Sequence, residues 1–515
     1  MSENRSHKTP LAVGDQLLIR RIGWFEASLF NIGQIIGTGI FTNPATILSN
    51  AGSTGAALLL WLLGALAALS GLWGFTELGT TFPRSGGEKE YLKQIYLKPR
   101  LLVETLFTIS AGVVLKGAGL ANALIAFGSY INFSIYGPTF SSDYGSRGWA
   151  FGAITILSII TIFSGKIAVK FNSTITVYKL LLLTFLVFTG IVALAGGFKD
   201  VSIPGLNSST INFQGTTNTG NVATAIYSVM FAYNGWANVN YILDEVHDPI
   251  RNLPKAAVFS LSTTFVLYLL ANFAYFGVLT RAEISGSSLT IAATFFSKLY
   301  GGSFGSRVLP FLIALSPLGL ATTLLYTSSR ILLEAARDGL LPFADYIGWV
   351  EPRTNSPVFS IALLWLLTSI FLWAPPPGNV FNFIVSFASY TGYLFYLLAV
   401  AGIYLLRRRE PELERPIKLP LFFGIFFIFF SLYELIFVFV PPVKNTTVYA
   451  YYLPYVGAVI LLVLSVGYWY LQVVVYKGPE KSYNARIIRE AEAAGPSDEN
   501  GIANGQEKVS EIKEV

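Results

Sequence analysis

Apolar residues run along this chain in stretches long enough to cross a lipid bilayer, separated by polar and charged connections. A bilayer-crossing helix needs about 20 mostly apolar residues. The pattern predicts twelve: 24–49, 55–82, 101–128, 149–164, 174–197, 221–243, 256–279, 308–329, 357–375, 379–406, 419–440 and 450–476. The fourth is short, and the first and sixth are interrupted at mid-depth. Segment 1 carries Ile35-Ile36-Gly37-Thr38-Gly39-Ile40-Phe41, and segment 6 carries Phe231-Ala232-Tyr233-Asn234-Gly235-Trp236. Glycine costs about 1 kcal/mol in a helix interior, and Asn-Gly is a turn-former because both residues tolerate positive φ. Taken alone, the glycine pair of segment 1 fits close helix packing equally well. Segment 6 adds the second clue, because segments 1 and 6 each open a set of five. Corresponding breaks in two halves point to an inverted repeat.

Charge orients this pattern. Only 12% of the 515 residues are charged, against about 25% in soluble proteins, so lipid must cover much of the surface. With connections assigned alternately to two sides, 27 of the 35 Lys and Arg fall on the side of the N-terminus and six on the other. Lys116 and Lys179 lie within spans. That bias is a positive-inside signal and predicts both termini in the cytoplasm. The sequons at Asn132, Asn207 and Asn445 all fall on the outer side. The expected organisation is a cytoplasmic segment 1–23 without a cleavable signal peptide, a transmembrane domain 24–476, and a disordered cytoplasmic tail 477–515 rich in Asp, Glu, Gly and Asn.

Composition also removes function classes. With no cysteine there is no disulfide, zinc-thiolate or thiol nucleophile. The two histidines, His7 and His247, fall in cytoplasmic segments, so no span holds a Ser–His–carboxylate set and no enzyme, metal or cofactor is expected. A channel would need a filter motif, and none is present.

Irregular backbone at membrane depth is tolerated only inside protein or beside a water-filled cavity. A break there presents N–H groups at one half-helix start and C=O groups at the other half-helix end, which suit a carboxylate and an ammonium respectively. A zwitterionic α-amino acid carries both. Segment 1, the 231–236 run and Asp244-Glu245-Val246-His247-Asp248-Pro249-Ile250-Arg251-Asn252-Leu253-Pro254 resemble the L-type branch of the amino acid–polyamine–organocation transporters. Three further stretches resemble the fungal high-affinity methionine permeases: Pro83-Arg84-Ser85-Gly86-Gly87-Glu88-Lys89-Glu90-Tyr91-Leu92, Ala336-Arg337-Asp338-Gly339-Leu340-Leu341-Pro342 and Ala374-Pro375-Pro376-Pro377-Gly378. The similarity runs from about residue 20 to 475.

The resemblance implies an all-α membrane protein of twelve helices, with a five-plus-five inverted repeat, broken helices 1 and 6 and two extra C-terminal helices. It implies that N–H groups around Gly37, Thr38 and Gly39 hold the substrate carboxylate. The carbonyls of Ile35, Phe231, Ala232 and Asn234 would hold the amine, with Phe231 also an aromatic gate. Relatives usually carry Gly where Asn234 sits, a departure inside the specificity pocket. Animal exchangers of this branch pair with a heavy subunit through a disulfide, a link this cysteine-free chain cannot make.

Charges within spans are costly and usually functional. Lys179, some six residues from the cytoplasmic edge of segment 5, either snorkels to the interface or is a fixed cation beside segments 1 and 8. The resemblance favours the second, since a matching lysine stands where sodium-driven relatives bind an ion. Lys116 has three readings: lining the substrate route, pairing with Glu434 of segment 11, or reaching the outer interface. Glu26, Glu77, Asp244 and Glu245 sit near helix ends, where pairing with Lys or Arg is expected. Residues 88–98 form an amphipathic piece with Tyr91, Leu92, Ile95 and Tyr96 on one face, expected to anchor at the membrane surface.

The functional expectation is a secondary transporter in the cell membrane that imports a neutral amino acid, methionine foremost, by alternating access, coupled to protons and independent of sodium. The alternatives are a broad exchanger of large neutral amino acids and a transporter-like nutrient sensor. Tyr233 and Trp236 are expected beside Phe231 and Asn234 in the side-chain pocket. Pocket segments 1, 3, 6, 8 and 10 offer no mid-membrane Asp or Glu for a cationic side chain.

Overall fold

A computed structural model describes residues 20, 22–137, 143–163, 165–206, 211–216, 218–287, 290–374, 380–441 and 449–482. Among these the regular structure is helical, with two isolated bridge pairs and no strand. In chain order the helices are α1 (Trp24–Ile35), α2 (Gly39–Ala51), α3 (Thr54–Thr81), α4 (Glu88–Ile95), α5 (Leu102–Tyr136), α6 (Asp143–Phe163), α7 (Gly165–Leu194), α8 (Thr219–Tyr233), α9 (Pro249–Val278), α10 (Arg281–Gly286), α11 (Ile291–Tyr300), α12 (Phe304–Arg337), α13 (Ala344–Ile347), α14 (Val358–Trp373), α15 (Val380–Arg409), α16 (Leu421–Phe437) and α17 (Leu453–Val475). Eight are long and apolar enough to cross a membrane, and α14 and α16 are shorter apolar helices. α5 is not a uniform α-helix: residues Thr108–Leu115 form a π-helical stretch.

Small residues let these helices approach closely. A Cβ on Gly71 of α3 would lie 2.7 Å from the Trp236 ring, and one on Gly190 of α7 would lie 2.3 Å from Ala274 of α9. Buried charges close in pairs at helix ends. Glu245 accepts from Arg330 at 3.0 Å, both fully buried, and Glu77 accepts from Arg407 at 3.0 Å. Among the described residues, these two of the four carboxylates expected to pair with Lys or Arg do so. Glu26 instead accepts from the Gly23 N–H, and Asp244 from the Ser85 N–H.

Two expectations need correction. α4 does not lie on the membrane surface. Its Glu88, Lys89, Glu90, Tyr91, Leu92 and Ile95 are all buried in protein. Tyr91 donates to Asn240 at 2.7 Å, and Lys89 pairs with Glu104 at 3.5 Å and with Asp338. The amphipathic face packs on neighbouring spans because its polar face finds ionic partners there too. The two sequence stretches around Gly86 and Asp338 therefore meet in space. Asn132 is likewise no glycan acceptor candidate: it is 3% exposed inside α5 and donates to Ser146 at 3.0 Å. Asn207, Asn445, the run 375–378 and the tail from 483 lie outside the described residues.

Candidate functional site

Both interruptions read from the sequence are present, and they press against each other. α1 ends at Ile35. Ile36 turns away (φ −75°, ψ 77°), and α2 begins at Gly39 after Thr38. α8 ends at Tyr233, Asn234 is extended (φ −61°, ψ 136°), and Gly235 takes φ +124°. Glycine alone therefore supplies the positive φ of the second break; Asn234 does not, contrary to the expectation drawn from the Asn-Gly pair. A Cβ on Gly39 would stand 2.4 Å from Ala232 Cα, and one on Gly235 would stand 2.3 Å from Gln34 Cγ. Only bare backbone allows this approach.

A cavity of about 120 Å³ opens between the breaks. Ile35, Gly37, Thr38, Gly39, Phe231 and Asn234 line it, six of the seven residues expected to bind substrate. Ala232 does not: it is buried behind Gly39. The N–H of Gly37 donates to the Ile35 carbonyl at 2.8 Å and that of Phe41 to the Thr38 carbonyl at 3.0 Å, so the donors left to a ligand are the first N–H groups of α2, at Gly39 and Ile40. The Thr38 side chain makes no capping bond, and its hydroxyl is buried without a partner among the described residues. Tyr268 of α9, which the sequence reading missed, sets its hydroxyl 2.6 Å from the Ile35 carbonyl and 3.1 Å from that of Ala232. One hydroxyl proton is shared between two carbonyls, and the Ile35 carbonyl also takes the Gly37 N–H.

The side-chain walls differ from expectation. Tyr233 packs on Trp61 and Tyr268, and Trp236 on Phe75 and Tyr396, both away from the cavity. The aromatic lining comes from Phe107, Phe231, Tyr241 and Tyr396, with Leu115, Leu320 and Leu324 as aliphatic wall. Gln34 and Asn122 also line it, each with a buried carbonyl oxygen lacking a partner among the described residues. An unmet buried acceptor costs about 1–3 kcal/mol, which a polar ligand would recover. Nothing in the apolar periodicity singled these residues out.

Of the three readings of Lys116, pairing with Glu434 is not seen among the described residues. Lys116 borders the cavity with its ammonium 4.4 Å from the Tyr241 ring centroid. Glu434 is elsewhere, buried in α16, and Tyr227 donates to its backbone carbonyl at 3.3 Å. Glu88 also lines the cavity. It comes from the loop helix α4, so the count of pocket spans did not include it. Burial pushes the Glu88 carboxyl above its usual range, against the opposing pull of Lys116 and the hydrogen bond from Tyr241.

Lys179 is fully buried and does not line the cavity. Its ammonium donates to the Gly33 carbonyl at 2.7 Å, in the last turn of α1, rather than reaching an interface. It passes against Gly319 of α12, where a Cβ would meet its Cε at 2.5 Å. It thus ties α7 to α1 directly beneath the first break.

Residues 22–464 match the family model for amino acid permeases. The chain belongs to the amino acid permease family. The permease is 32% identical over 425 residues to the high-affinity methionine permease of Saccharomyces cerevisiae, covering 81% of this chain and 72% of the relative. It is 31% identical over 438 residues to the mouse b(0,+)-type amino acid transporter 1, with 84% of each covered. It is also 31% identical over 424 residues to the human large neutral amino acids transporter small subunit 2, with 82% and 76% covered. Family and relatives are transporters, so the permease is a membrane transporter of amino acids and not an enzyme.

Proposed function

We propose that this permease imports a neutral α-amino acid, methionine foremost, by alternating access between two inverted five-helix halves within a twelve-span, plasma-membrane fold with both termini cytoplasmic. The observation that carries the reading is the meeting of two broken helices at one cavity, bordered by the start of α2 and by Ile35, Phe231 and Asn234. Thr38 and Gly39 hold the carboxylate, and Phe231 closes over the bound substrate. Lys179 supplies a fixed positive charge at α1, makes sodium unnecessary and links uptake to protons. Phe107, Phe231 and Tyr396 suit a thioether, since sulfur–aromatic contacts are worth about 0.3–1.5 kcal/mol. Similarity to a methionine permease supports the same choice.

The test is a competition series against labelled methionine. Leucine should displace it more weakly than methionine, because apolar contact alone discriminates by about 1–3 kcal/mol per methylene. Arginine or glutamate displacing the label better than leucine would end this reading. The similarity to two animal transporters supports a second reading, broad exchange. Uptake that requires amino acid preloaded inside vesicles would select it.

A further inference from the structure

The cavity carries a pair of opposite charges that the broken-helix site does not use. Glu88 is 2% exposed; its Oε1 accepts from the Tyr241 hydroxyl at 2.8 Å, and its Oε2 is buried with no partner among the described residues. Lys116, from α5, lays its ammonium against the face of the same tyrosine. Among the described residues it joins no ion pair. Both side chains border the cavity that Thr38 and Asn234 border. A carboxylate and an ammonium in one low-dielectric cavity attract strongly, yet these two do not close on each other. Tyr241 stands between them, its ring holding the cation and its hydroxyl the anion. Gly87 admits that ring, because a Cβ there would lie 2.5 Å from it.

From this arrangement we infer that Glu88, Tyr241 and Lys116 form a second binding site for an α-amino acid zwitterion, whose ammonium meets Glu88 Oε2 and whose carboxylate meets Lys116. The inference rests on the amino-acid transport reading and adds a stage to it. The broken helices read the two charges with backbone groups; this site reads the same two charges with side chains, beside α4 at the inner end of the path. A substrate leaving the first site moves toward a complementary pair, so its charges are not stripped of partners on the way out. The inner site binds more weakly, because Tyr241 already satisfies part of each charge.

The experiment uses the full chain in proteoliposomes, with labelled L-methionine and L-leucine applied to either face. Wild type and Glu88→Gln, Lys116→Gln and Tyr241→Phe are compared at matched reconstituted amounts of monodisperse protein. Glu88→Gln and Lys116→Gln are each expected to raise half-saturation at the cytoplasmic face about tenfold, the loss of one charged hydrogen bond. Both should shift the external face less than the cytoplasmic one. Analogues separate binding from mere support of the fold. At the cytoplasmic face, Lys116→Gln should shrink the preference for methionine over methioninol, which lacks the carboxylate. Glu88→Gln should shrink the preference over the deaminated acid. An unchanged cytoplasmic half-saturation in both variants would overturn the second site. So would equal shifts at both faces, or unaltered analogue preferences. Absence of methionine and leucine transport by the wild-type chain would instead remove the amino-acid reading, and the second site with it.

Discussion

Adding one methyl group at Gly39 tests the backbone site most directly. In Gly39→Ala the new Cβ would stand 2.4 Å from Ala232 Cα, 2.7 Å from its Cβ and 3.3 Å from its N. Carbon atoms pack at about 3.5–4.0 Å, so α2 and α8 must separate by roughly 1 Å. The obstruction is backbone, which has no rotamer to yield. Overpacking of this kind costs about 1–3 kcal/mol. It also draws the start of α2 away from Phe231 and Asn234, which border the same cavity. Losing one charge-assisted hydrogen bond to the substrate carboxylate is worth about 1.5–3 kcal/mol, or roughly a 10- to 100-fold rise in KM. The assay is a concentration series of labelled methionine uptake, normalised to surface abundance. Gly112→Ala is the control, because its nearest neighbour, Ile331 Cγ2, lies at an ordinary 3.4 Å. It should keep wild-type KM. Gly39→Val should abolish binding while still reaching the membrane. Wild-type KM in Gly39→Ala, at normal abundance, would refute the carboxylate cradle.

The other predictions address coupling and stability. Lys179→Met removes the bond to the Gly33 carbonyl and should abolish uptake with the protein still at the surface; full activity, or a wild type that requires Na⁺ and ignores a pH gradient, would remove the fixed-cation role. Glu245→Gln leaves Arg330 fully buried without its carboxylate, a loss of about 3–5 kcal/mol, read as a fall in melting temperature of purified protein; an unchanged midpoint would contradict it. Burial alone would raise the Glu283 carboxyl, but bonds from Lys298 and from the Thr280 backbone and hydroxyl outweigh it and hold the pKa below the usual glutamate value. A depressed carboxyl stabilises above the unfolded value and loses that contribution as pH falls through the folded one. Amide exchange in α10, corrected for intrinsic rate, should therefore stay flat from neutral pH and rise below about pH 4. Glu283→Gln should lack that acid-sensitive rise.

How much of this was legible in the sequence depends on the range of the interaction. The apolar stretches and the two interruptions are local, and glycine spacing announced both breaks. Gly39 and Gly235 carry their meaning in their own lack of a side chain. Asn234 misled because tolerance of positive φ is a permission, and Gly235 alone took it. Tyr233 and Trp236 neighbour the break in sequence, but the change of chain direction at 234–236 sends both into packed protein instead of the cavity. α4 misled for a different reason. An amphipathic face reads identically whether lipid headgroups or other spans await it. Its actual partners, Asn240 and Asp338, lie 149 and 249 residues away from the residues they bind, a distance no periodicity records. Tyr268 was hidden as one more aromatic in an apolar span.

The π-helical stretch Thr108–Leu115 ends immediately before Lys116. Its wider coil sets the rotational phase of everything that follows on α5, including Lys116, Gly119 and Asn122, which all face the cavity. Each residue of an α-helix advances the chain by about 100°. A relative with one residue fewer in this stretch would present a different stripe of α5 to its substrate without a single substitution in the stripe itself. Counting along α5 from its start would then pair lining residues with lipid-facing ones. Specificity in such relatives can diverge by a change of phase, through insertion or loss within the coil that precedes the stripe.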